Sequence, residues 1–167
     1  MAYRNKTFVS FDGDNDIHYY RLMRAWRQSD ASPFNFFDAH DLNTARDGSL
    51  ELSIKSQLSV RLKNTKVFVS LVGEKTRYLR KFVLWEIEQA VNRDIPIVVV
   101  NLNKKRAIDF GLCPASLRDE LAVHIPYNSK ILQYALENWP DSHAQYRKAR
   151  ETGPHHFRTG TYTSLGI

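Results

Sequence analysis

Glycine is sparse, seven residues in 167, and none falls in a GxGxxG or GxxxxGKS/T pattern. Neither of the usual glycine-rich phosphate cradles is therefore present. GxSxG, HExxH and CxxC are missing as well, which removes the commonest serine-hydrolase, zinc-protease and dithiol signatures. Cysteine occurs once, as Cys113. A single thiol cannot close an internal disulfide, and beside Pro114 it reads as a buried loop residue rather than a nucleophile. The opening MAYRNKTFVSF holds no apolar run long enough for a secretion signal, and no stretch approaches the roughly 20 apolar residues of a membrane span. A reducing, cytoplasmic setting without membrane contact is the expectation.

What is present suits one globular domain with a core of its own, since 43% of the residues are hydrophobic and 25% charged. The formal net charge of +6 permits nucleic acid, acidic surfaces or polyphosphate ligands without choosing among them. Much of the excess is scattered over Arg21, Arg24 and Arg27, then Lys104, Lys105 and Arg106, then Arg147, Lys148 and Arg150. Solvated faces account for such a distribution. No nucleic-acid recognition motif accompanies it, so nucleic-acid binding ranks last.

Strand and helix patterns alternate along the chain. Residues 7–11, TFVSF, predict a first strand, and Asp12-Gly13-Asp14-Asn15-Asp16 a loop in which Asp14 or Asp16 caps a helix over 17–28. Tyr19, Leu22, Met23 and Trp26 share one side of that helix and read as core. A second strand is predicted at 34–37, followed by a polar loop over 38–48 that is longer than a tight connection needs. Leu50, Ile54, Leu58 and Leu62 recur at four-residue steps and predict the next helix. Further strands fall at 66–72, at 95–100, whose unbroken apolar run suits cover on both faces, and at 122–125. A helix capped by Ser129, with Leu132, Ala135, Leu136 and Trp139 on one face, is expected to close at Pro140. A further helix over 142–150 then gives way to GPHHFRTGTYTSLGI, which has no periodicity. His155 and His156 have no third ligand near them in sequence, so no metal site is expected.

The expectation is thus an α/β fold of flavodoxin-like type, a five-stranded parallel sheet of order 2-1-3-4-5 with helices on both faces. It occupies residues 1–140, and residues 141–167 form a C-terminal extension, helix then irregular tail. Ligands of such sheets bind outside the carboxyl ends of the strands where strand order reverses. Here that crevice falls between the first and third strands.

One helix breaks its own pattern. Leu79, Phe82, Val83, Ile87 and Ala90 recur at three- and four-residue steps, and Glu86 falls in the middle of that stripe. A carboxylate so placed is costly unless it is paired, hydrogen-bonded or sited at the edge of a cleft. A rim glutamate reaching water or a lysine is the plain alternative to a functional one. Phe11 and Phe82 fit core packing and ligand contact equally well, whereas Trp85, off the stripe, suits a ligand or partner surface.

Several of these segments together are similar to one family. TFVSF with its acidic loop, Phe37-Asp38 with Asp41-Leu42, Ser49 through Ile54 to Leu58, Val67 to Leu71, and Phe82, Val83, Trp85, Glu86 and Ile87 resemble, in order and spacing, the TIR (Toll/interleukin receptor) domain. Within that group the chain looks most like the bacterial TIR-like proteins of Thoeris-type antiphage defence. The resemblance fades after the strand at 95–100. Phe82 stands where Trp is usual, Val83 where plant and animal members often have Cys, and Arg80 where Ser is common. Arg46-Asp47-Gly48 lacks the Pro-Gly of the animal receptors, which argues against receptor-style adaptor signalling.

The resemblance implies an enzyme that takes NAD as a substrate, with no other cofactor. Glu86 would be its catalytic residue, and Ser10, Phe11, Asp12, Asp47, Phe82 and Trp85 would surround the substrate. It implies release of nicotinamide and an ADP-ribose-derived signal that activates a downstream effector in antiphage defence. A phage-derived trigger and homo-oligomer assembly are left open. The chemistry is consistent: breaking the nicotinamide–ribose bond develops positive charge on the ribose, which a fixed carboxylate stabilises. Nicotinamide leaves readily, so no second acid is required. The alternative from another class is a non-catalytic TIR-type interaction module in which Glu86 is a structural rim residue.

Overall fold

Strands whose side chains are buried at every position need cover on both faces, and that requirement shapes this molecule. The computed structural model describes residues 6–28 and 51–167. Its centre is a sheet of β1 (Thr7–Ser10), β2 (Val67–Val72), β3 (Ile97–Asn101), β4 (Ala122–Pro126) and β5 (Pro154–His156), in that spatial order. Every pairing is parallel, and β1 to β4 are buried throughout.

The helices are α1 (Ile17–Gln28), α2 (Glu51–Lys63), α3 (Phe82–Asn92), α4 (Ser129–Lys148) and α5 (Thr159–Ser164). Strand alternation sorts the core into two halves. Val9, Val69, Val98 and Val123 face α1, α4 and α5 through Met23, Leu132, Ala135 and Tyr162. Phe8, Phe68, Val99 and Ala122 face α2 and α3 through Ile54, Leu58, Val83 and Ile87. The α/β class, the parallel sheet and the helices on both faces are as the sequence predicts. The strand expected at 34–37, which the order 2-1-3-4-5 requires beside β1, lies outside the described residues.

Several expectations need correction. On α1 Tyr19, Met23 and Trp26 pack into or against the core as expected, but Leu22 is exposed and Tyr20 is buried beside Met23. Asn128, not Ser129, caps α4: its Oδ1 accepts from the amides of Lys130 at 2.9 Å and Ile131 at 3.4 Å. Its extended backbone suits the cap position.

Pro140 does not end α4, which continues to Lys148. An interior proline removes one helical hydrogen bond and crowds the preceding turn, at about 3 kcal/mol. Packing offsets that cost. Trp139 and Tyr146, one either side of the proline, close on His155 with ring centroids 5.7 and 4.2 Å away. The boundary expected after residue 140 therefore falls inside a helix. The supposedly irregular tail supplies β5, in register with β4 through Val123 and His155, and then α5.

Cys113 is buried, as its sequence context predicts. Burial pushes its thiol up to about 11, the wrong direction for a nucleophile.

Candidate active site

The site begins with two side chains that sequence places 76 residues apart. Ser10 is the last residue of β1 and projects to the same side of the sheet as Phe8, toward α3. On α3 the buried residues Phe82, Val83, Ile87 and Ala90 hold one face against that sheet, and the helical period carries Glu86 with them. Glu86 is only 2% exposed. The Ser10 hydroxyl donates to its Oε2 at 2.6 Å. Of the conditions that make such a carboxylate tolerable, the one met here is a buried hydrogen bond, and a water-reaching rim position is not what is found. An O–H to carboxylate bond of this length is roughly twice as strong as a neutral one.

The expected helix included Leu79, but α3 starts at Phe82. A 3₁₀ turn over Thr76–Tyr78 precedes it, and the Thr76 hydroxyl accepts from the Gly73 amide at 2.9 Å, closing the loop after β2. The loop after β1 is organised by Asp12 rather than by Asp14 or Asp16. The Asp12 carboxylate accepts from the amides of Asp14 and Asn15 at 3.0 and 3.2 Å and from Asn15 Nδ2 at 2.7 Å. This is the local hydrogen bonding that short acidic side chains favour in turns. Phe11 stacks on Tyr20, with centroids 4.5 Å apart and 14° between planes.

These two loops face each other across a cavity of about 220 Å³, with Phe11 and Asp12 on one wall and Arg80, Lys81 and Phe82 on the other. Lys81 Nζ sits 5.4 Å from the centre of the Phe82 ring. Glu86 follows one helical turn after Phe82. The structure thus brings together Ser10, Phe11, Asp12, Phe82 and Glu86. It sets Trp85 elsewhere, packed toward α2 with Lys55 Nζ 5.7 Å from its ring centre. Asp47 lies outside the described residues.

Two buried polar groups on this side of the sheet escaped sequence reasoning. Ser70 lies beside Ser10 in the β1–β2 register, is fully buried, and its hydroxyl has no hydrogen-bond partner among the described residues. The signal for it was a lone serine in VFVSLV. His124 lies two strands further along the same row, through Val99. Burial first, and then the nearby His156, holds its imidazole down to about 4, so it is neutral near pH 7. Among the described residues no group of three or more histidine, cysteine or acidic side chains is placed to hold a metal.

A family model described as the TIR-like domain of the Thoeris protein ThsB matches residues 8–107. The chain belongs to that family. Its place there confirms the resemblance read from the sequence and makes it a TIR-like protein of antiphage defence. No curated protein matches the chain at a significant level. The ThsB TIR-like match spans α1, α2, β2 and α3 and reaches past β3, so Ser10, Phe11, Asp12, Phe82 and Glu86 all lie within it. β4, α4, β5 and α5 lie beyond it. No described helix of this TIR-like protein is long and apolar enough to cross a membrane.

Proposed function

We propose that this ThsB TIR-like protein consumes NAD in the cytoplasm, releasing nicotinamide and converting the ADP-ribose part into a signal that activates a separate effector. The observation that carries this reading is the buried Glu86 carboxylate, held by Ser10 at 2.6 Å, one helical turn from a cavity walled by Phe11 and Phe82.

In the reaction, the bond between ribose C1′ and the nicotinamide nitrogen breaks and its electron pair passes to the pyridinium ring, which becomes neutral. The positive charge left on the ribose is stabilised by the Glu86 carboxylate, whose orientation Ser10 maintains. A water or a hydroxyl of the same ADP-ribose attacks C1′ and loses its proton, giving a hydrolysed or a cyclic product. Phe11 and Phe82 offer flat apolar surfaces to the nicotinamide, and Arg80 and Lys81 supply positive charge for the pyrophosphate. Asp47 enters as a substrate contact on the family resemblance alone, and Trp85, packed toward α2, is left out of the site. A phage-derived trigger and self-assembly are the regulatory inputs this reading accommodates.

The test is nicotinamide release by purified protein, followed by chromatography in the presence of extract from infected cells. Glu86→Gln should lower the rate by about 10²- to 10³-fold, the usual loss when one transition-state stabiliser is removed. A Glu86→Gln protein as fast as wild type would overturn the proposal.

A further inference from the structure

The loop after β1 has a second cavity on its other side. It measures about 400 Å³, and its lining includes Asp16, His18, Tyr19, Gly73, Glu74 and Lys75. Asp16 immediately precedes α1, where an aspartate ordinarily turns its carboxylate back onto the first helical amides. Here it does not. Asp16 is 7% exposed, and its Oδ2 is buried with no hydrogen-bond partner among the described residues. Asp12 has taken over the amides of the loop.

Gly73 explains where the carboxylate goes. A Cβ at position 73 would stand 2.5 Å from Asp16 Oδ2, closer than any real contact. The backbone of Gly73 is not in the left-handed region that favours glycine. The glycine serves space rather than backbone conformation, and the space is occupied by the Asp16 carboxylate. Burial, followed by the charge of Asp12, raises the pKa of that carboxyl above its ordinary value. A buried acceptor left without donors is expensive, and a ligand that brings donors relieves the cost.

The rest of the lining narrows the ligand. Asp16, His18 and Glu74 all line the cavity, yet among the described residues no group of three such side chains is placed to hold a metal ion. Neutral hydroxyl donors suit the unpartnered Asp16 oxygen. The His18 and Tyr19 rings, 4.1 Å apart at their centres, present aromatic surface, and Lys75 adds a cation at the wall. A carboxylate for a vicinal diol, aromatic faces for a base and a lysine for a phosphate match one class of molecule.

We propose that this cavity is a ribonucleoside-phosphate site in which Asp16 accepts from the ribose hydroxyls. It rests on the proposed NAD reaction in one respect only: there it holds the adenosine half, the dinucleotide lying across the Asp12-to-Asp16 loop from the cavity beside Phe82.

AMP separates the two readings, because it has the ribose and phosphate but no bond to nicotinamide. Titration of the purified protein by NMR should show AMP binding at residues around Asp16, with 2′,3′-dideoxy-AMP much weaker. Asp16→Asn should weaken AMP by about tenfold and erase the preference for the diol, as charge-assisted bonds become neutral ones. Gly73→Ala should do the same by displacing the carboxylate, and Glu86→Gln should bind AMP as wild type does. Asp16→Asn removes a buried charge, so it should melt no lower than wild type, which separates lost binding from lost folding. Wild type that fails to bind AMP, or Asp16→Asn that binds it unchanged, overturns the site. AMP binding without NAD cleavage would uphold the site and sink the reaction; NAD cleavage with an unchanged KM in Asp16→Asn would do the reverse.

Discussion

The Ser10 hydroxyl and the Glu86 carboxylate form a buried hydrogen bond at 2.6 Å, joining the end of the first strand to the middle of α3. Removing the hydroxyl takes one donor from a carboxyl group where water scarcely reaches. Ser10→Ala should therefore destabilise the protein by about 1–3 kcal/mol, read as a lower urea midpoint. Glu86→Gln keeps an acceptor for Ser10 and should lose less. If Ser10→Ala unfolded at the wild-type midpoint, the bond would contribute nothing to holding the carboxylate.

His124 predicts an acid limit to stability. Its imidazole, ordinarily near 6.5, is held to about 4 in the folded protein, so between those values the unfolded chain binds the extra proton. The contribution is complete above about pH 6.5 and is lost as pH falls toward 4, amounting to about 3 kcal/mol. His156, in register across the β4–β5 pair, pushes in the same direction when it is protonated. Urea midpoints at pH 7 and pH 4.5 should differ less in His124→Leu than in wild type. Equal differences would mean that other groups govern the acid limit.

Pro140 offers a test of the helix that runs through it. Pro140→Ala restores one amide donor in α4 and should raise the melting temperature, by up to about 3 kcal/mol of added stability. A lower melting temperature would mean that the proline-shaped backbone is needed to bring Trp139 and Tyr146 onto His155.

The parts of the fold legible in sequence were those written in local pattern. The apolar runs gave β1 to β4, and the stripe of α3 placed Glu86 on the sheet, because burial on both faces and the helical period leave direct marks on residue order. β5 left none: Pro154, His155 and His156 become a strand only because β4 has an edge to pair with. The end of α4 was misread because proline's local cost is outweighed by packing that a window of sequence does not contain. In the loop after β1 the acidic residues Asp12, Asp14 and Asp16 are equal candidates by type. Only the fold decides that Asp12 organises the turn while Asp16 points to Gly73. Leu79 fits the stripe of α3 by number, yet the turn at Thr76–Tyr78 delays the helix past it.

The short final strand has a consequence for how copies of this protein meet. β4 is buried along its whole length, and bare it would offer a second chain an apolar ladder ready for strand-to-strand aggregation. β5 covers three of its residues, and its own outer side is a poor template. It begins with a proline, which has no amide to donate, and both Pro154 and His156 are exposed. The stretch that looked least structured in the sequence is thus a stop, limiting sheet growth on that side of the molecule and leaving assembly to other surfaces.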